Sequence, residues 1–195
     1  MKKCVGLVVA MLLVTPMLSW AKGRGSEVSG FHQEQREKWH EYKDQRKEDN
    51  KDFRETLKGK SPEERKAAMQ EHRDANIEKN KAMREKMFQD NKDFLKKKLA
   101  NNKKLTDAQK EELINFYETQ HQENVDFRNQ QHSENTAFFE QIANDSNLTQ
   151  EQKKAAIKAH FQQQRSENKE HRSQQQADRK AERQKIHSEV KGTTE

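Results

Sequence analysis

The residues of this chain that could do chemistry are eight histidines, 33 carboxylates and one cysteine. Their spacing argues against a metal centre. His121 and His132, like His160 and His171, lie eleven residues apart, about 16 Å along a helix, so neither pair can share an ion. Zinc needs three or four ligands converging at about 2.0–2.3 Å, yet no His-x-x-x-His or Cys/His cluster occurs within one predicted helix. The histidines are expected to be solvated members of a repeat, with no metal and no cofactor. Catalytic patterns are absent too: there is no Gly-rich phosphate loop, no Gly-x-Ser-x-Gly and no His-Glu-x-x-His. Carboxylates spread along solvated helical faces meet nothing that would tune them for acid–base work. The expectation is that the chain is not an enzyme.

The elements that carry these side chains are set by one beat. Met83, Phe94, Leu105, Phe116, Phe127 and Phe138 recur every eleven residues. Eleven residues turn a helix only about 20° beyond three full turns, so these positions share a face. The polar residues keep the same period: Asp49-Asn50-Lys51-Asp52-Phe53 returns as Asp90-Asn91-Lys92-Asp93-Phe94. Of the chain's residues 37% are charged and 29% hydrophobic, against roughly 25% and 45–50% in an ordinary globular protein. A thick core is out of reach. The composition and the beat together predict an all-α protein of long amphipathic helices with hendecad periodicity, arranged as elongated hairpins in a coiled-coil-like layer.

Three sets of start signals divide the helices. Gly59 precedes Ser61-Pro62-Glu63-Glu64, where Ser61 is placed to cap, Pro62 to occupy the first turn and Glu64 to close a capping box. Leu105-Thr106-Asp107-Ala108-Gln109 and Leu148-Thr149-Gln150-Glu151-Gln152 repeat that chemistry, with Leu105 and Leu148 placed as hydrophobic staples. The caps recur about every 44 residues, four hendecads. The first helix is expected from near residue 31 to Leu57, after a flexible leader at residues 22–30. The helical repeat domain should extend over residues 31–165. Residues 166–195, almost without apolar side chains before Ile186, are expected to be a polar tail, helical or frayed.

Residues 1–21 have the layout of a cleavable signal peptide: Lys2 and Lys3, an apolar run from Val5 to Leu18, then Ser19-Trp20-Ala21 before the expected cut. Cys4, the only cysteine, lies within it. Export to the periplasm follows as an expectation, without stable membrane insertion. The net charge of +6 is mild and its signs look interspersed, a poor match to nucleic acid.

The two Leu-Thr-x-x-Gln copies, at Leu105-Thr106-Gln109 and Leu148-Thr149-Gln152, resemble the Spy/CpxP family of periplasmic LTxxQ proteins. That resemblance implies long kinked helices paired in a thin dimer, acting as an ATP-independent chaperone or an envelope-stress regulator. On the residues themselves, a homodimer is the expected way to bury so narrow an apolar stripe. Unfolded or misfolded envelope polypeptides are the expected clients. Phe138, Phe139, Ile142, Ile157 and Phe161, gathered around the third break, are the expected client-binding side chains. The competing readings are a self-associating structural spacer and a stress or metal sensor acting on a membrane partner.

Overall fold

The structure, a computed structural model, describes residues 25–192. The expected signal peptide, Cys4 and residues 22–24 of the leader lie outside the described residues. Four α-helices make up the fold: α1 (Gly25–Thr56), α2 (Pro62–Ala100), α3 (Asp107–Asn144) and α4 (Gln150–Gly192). Among the described residues no strand occurs, and no helix is long and apolar enough to cross a membrane. The all-α expectation holds.

All three predicted starts form as reciprocal capping boxes. Ser61 N–H donates to Glu64 Oε2 at 2.8 Å while Glu64 N–H donates to Ser61 Oγ at 3.3 Å. Thr106 and Gln109 exchange the same bonds at 3.0 and 3.2 Å, and Thr149 and Gln152 at 2.8 and 3.2 Å. Each box satisfies two amide hydrogens that a helix start otherwise leaves unpaired. Leu105 is buried, as a staple should be, and Leu148 half-buried. Gly59 turns the chain between α1 and α2 at φ 79°, a conformation that side chains with a Cβ rarely adopt.

The chain divides into two compact units, Met1–Lys98 and Leu99–Glu195. Within the first, α1 and α2 run antiparallel. Phe31 stacks on Phe94 with ring centroids 4.0 Å apart, the Tyr42 hydroxyl donates to Asn80 Oδ1 at 3.0 Å, and Phe53 stacks on His72 at 3.7 Å. Phe31, Tyr42 and Phe53 are eleven residues apart, so the seam is a ladder with one rung per three turns. The helix begins at Gly25, earlier than the expected residue 31. Two contacts hold the extra turn: the Phe31 stack and the Glu27 carboxylate bonded to Lys98. Tertiary contact outweighs the poor helix propensity of Gly30.

Within the second unit α3 and α4 form the same device. Phe127 stacks on His171 at 4.2 Å and Phe138 on His160 at 4.0 Å. Between these rungs the seam is built of amides. Gln120 Nε2 donates to the Gln175 carbonyl at 3.1 Å, and Gln175 Nε2 donates back to the Gln120 carbonyl at 3.2 Å. Both side chains are buried. The polar end of α4 is therefore packed on α3 and helical to Gly192, with Gln164, Gln175, Arg179 and Ile186 buried. Glutamine fills the place that leucine takes in an ordinary seam.

Candidate client-binding surface

The second hairpin turns at residues 145–149, between α3 and α4, and the aromatic side chains of the third break meet beside it. The α3 cap brings Phe138 and Phe139 to the end of one helix, and the Thr149 box starts α4 so that His160 and Phe161 come level with them. Phe138 lies flat on the His160 ring; Phe139 meets Phe138 edge-on at 5.5 Å and Phe161 at 6.0 Å. Of the five expected residues, Ile142 is buried, Phe138, Phe139 and Ile157 are half-buried, and Phe161 is 43% exposed. Phe138 and Ile142 serve chiefly to hold the hairpin closed. Of these side chains Phe161 is the exposed one, with half-buried Phe139 beside it.

Three histidines expected to be solvated are seam residues instead. His72 Nε2 lies 2.8 Å from Asn50 Oδ1, His160 Nε2 2.8 Å from Asn135 Oδ1, and His171 Nε2 3.1 Å from Asn124 Oδ1. Each stacks on a phenylalanine three residues after that asparagine. The Asn124 amide nitrogen already donates to the Gln120 carbonyl at 2.7 Å, so its oxygen is the acceptor and His171 Nε2 carries the hydrogen. Asn-x-x-Phe on one helix and His on the other is thus a repeated closing unit. The signal was present in Asn124-Val125-Asp126-Phe127 and Asn135-Thr136-Ala137-Phe138, but the facing histidine cannot be chosen without the register. Among the described residues no group of three or more His, Cys, Asp or Glu side chains is arranged to hold a metal ion.

Two further features escaped the sequence reading. Met69, 57% exposed on α2, is an apolar side chain offered to solvent a little beyond the first hairpin's turn. Near the start of α3 a shallow groove is lined by Ala108, Glu112, Phe116 and Glu182, among others. Burial there, followed by the charges of Glu112 and Glu189, raises the Glu182 carboxyl above its usual range against the pull of Lys185.

No protein-family model, no curated protein and no solved structure matches the chain.

Proposed function

We propose that the protein is an ATP-independent chaperone of the cell envelope, holding unfolded polypeptides against the exposed Phe161 ring and the half-buried Phe139 beside it. The observation that carries this reading is the pairing of those rings at 6.0 Å, with Phe161 43% exposed on a surface otherwise rich in charge. A shallow apolar spot bordered by charge binds many unfolded sequences weakly and demands no single shape. Neither nucleotide nor metal enters the cycle. Localisation to the periplasm rests on the signal-like first 21 residues, and the two Leu-Thr-x-x-Gln boxes add the family resemblance. A homodimer remains part of this proposal. Its contact is placed outside the rungs, because one face of each of those rings is already stacked within its own hairpin.

The test is suppression of aggregation of an unfolded model client at near-stoichiometric ratio. Phe139→Ser with Phe161→Ser should abolish protection while helicity by circular dichroism is kept. A structural spacer is the second reading, favoured by the rungs that consume most of the aromatic stripe. It predicts no protection by the unaltered chain.

A further inference from the structure

The two flanks of the α3–α4 hairpin carry opposite charge, on the same eleven-residue beat as the seam. Contacts fix which side is which. Phe139 meets Phe161 on one flank, whereas Glu112 pairs with Lys185 and Gln109 with Glu189 on the other. Moving eleven residues at a time keeps a side chain in its column. The Phe161 column continues as Arg172 and Arg183, and the column three residues before it holds Lys158, Lys169 and Lys180. The Glu112 column continues as Glu123 and Glu134, and the Glu189 column runs back through Asp178 to Glu167. Charges that look interspersed along the sequence are sorted to opposite sides by the fold.

Most of this charge is not neutralised within the chain. Lys158, Lys169 and Lys180 are exposed and form no ion pair among the described residues. Glu134, Glu167 and Asp178 each accept a hydrogen bond of 2.8 Å from a glutamine four residues earlier, Gln130, Gln163 and Gln174, which supplies a donor but no charge. Columns of like charge side by side repel, which favours a partner of opposite sign. A small ion reaches only one level of a column whose levels stand about 16 Å apart. An extended partner with charges at that same spacing meets every level, and the chain carries such a surface on its own opposite flank.

We propose that the basic flank of one α3–α4 hairpin docks on the acidic flank of a second copy of this chain. The contact is heterologous: a stack of any length still presents one unused flank of each sign, one at either end, so stacking can continue beyond two. Sedimentation velocity of the full chain tests it. At about 20 mM salt the average mass should rise with protein concentration, and at about 0.5 M salt it should fall to that of the smallest species.

Two charge-reversed variants sharpen the test. Lys158→Glu with Lys169→Glu and Lys180→Glu cancels the basic flank and keeps the acidic one. Glu123→Lys with Glu134→Lys and Asp178→Lys cancels the acidic flank and keeps the basic one. Each alone should stay at the smallest species, and an equimolar mixture should associate again. If a triple variant loses helicity, Lys169→Gln alone reads the same contact as a few-fold weaker association. A wild-type mass independent of salt and concentration would overturn the proposal, as would either reversed variant assembling like the wild type. Wild-type binding to phosphatidylglycerol vesicles without self-association would also overturn it, and would assign the basic flank to a lipid surface.

Discussion

The two hairpins close similar ladders with different glue between the rungs. In the first, charged side chains cross the seam: Lys38 to Asp90 at 2.9 Å, Lys79 to Asp49 at 3.1 Å, and Lys97 and Lys98 both to Glu27. In the second, amides dominate the crossings, with Arg179 donating to Gln120 Oε1 at 3.4 Å beside them. Gln120 and Gln175 bond each other's backbone, Asn124 donates to Gln175 Oε1 at 3.0 Å, and Asn168 donates to Gln131 Oε1 at 3.1 Å. Lys185 to Glu112 adds a cross-helix ion pair there. A hairpin that spends its charges on its own seam has fewer left for others. One closed by neutral amides keeps its flanks charged.

The sharpest way to break this contrast is through the few deeply buried apolar side chains. Leu95, 2% exposed, and Ile186, 1% exposed, are the anchors of their units. Leu95→Ala and Ile186→Ala should each cost about 2–5 kcal/mol in denaturant unfolding. Equal losses would mean that both units still depend on apolar burial, whatever lies between the rungs. The amide seam is the next target. Gln120→Ala or Gln175→Ala removes a cross-helix bond to a carbonyl that keeps its own helical partner, an expected loss of about 0.5–1.5 kcal/mol. Each side chain donates to the other's backbone carbonyl, which neither substitution removes, so any non-additivity in a double-mutant cycle should come from side-chain packing alone.

Acid should separate the hairpins by sign. Hydrogen bonds from Lys79 and then Gln45 hold Asp49 below its usual 3.8, and bonds from Lys98 and then Lys97 hold Glu27 below 4.5. Carboxylates lowered by folding stabilise the first hairpin above their unfolded values. That contribution is lost as the pH falls through the folded ones. Glu182 in the second hairpin is raised by burial and by Glu112, so protonation there relieves the folded state as the pH falls through its raised value towards 4.5. Below about pH 4.5, amide protection measured by NMR should therefore fail first across α1 and α2. At neutral pH, Glu182→Gln should be slightly stabilising, by well under about 1 kcal/mol for so solvated a group. The smallest effect is that of salt. Raising it to about 0.5 M should weaken the first hairpin by roughly 1 kcal/mol or less, and the second hardly at all.

The helix starts were legible because a capping box is local: Thr106 and Gln109 need only each other. The eleven-residue beat was legible for the same reason, being a property of one helix. What crosses the seam was not. His171 read as a solvated member of the repeat, and Gln120 is of a type usually exposed. Their burial depends on which helix comes back, and at what register. The polar end of α4 looked unable to pack for want of apolar residues, since a seam of mutually satisfied glutamines leaves no hydrophobic signal. Counting charges along the chain likewise hid their sorting to two flanks, which exists only once α3 and α4 lie side by side. Around the third break Phe138, Phe139, Ile142, Ile157 and Phe161 were grouped from their nearness in sequence. Only the packing separates exposed Phe161 from buried Ile142 and from the half-buried three.

The central claim is that α3 returns along itself as α4, closed by rings and amides rather than by a thick core. Spin labels placed at the exposed positions Asn129 and Ser166 test it most directly through their dipolar distance. The folded hairpin predicts a narrow distribution at roughly 20–30 Å, the separation of outward side chains on packed neighbouring helices. A distribution near about 55 Å, the span of 37 residues in one uninterrupted helix, would contradict it.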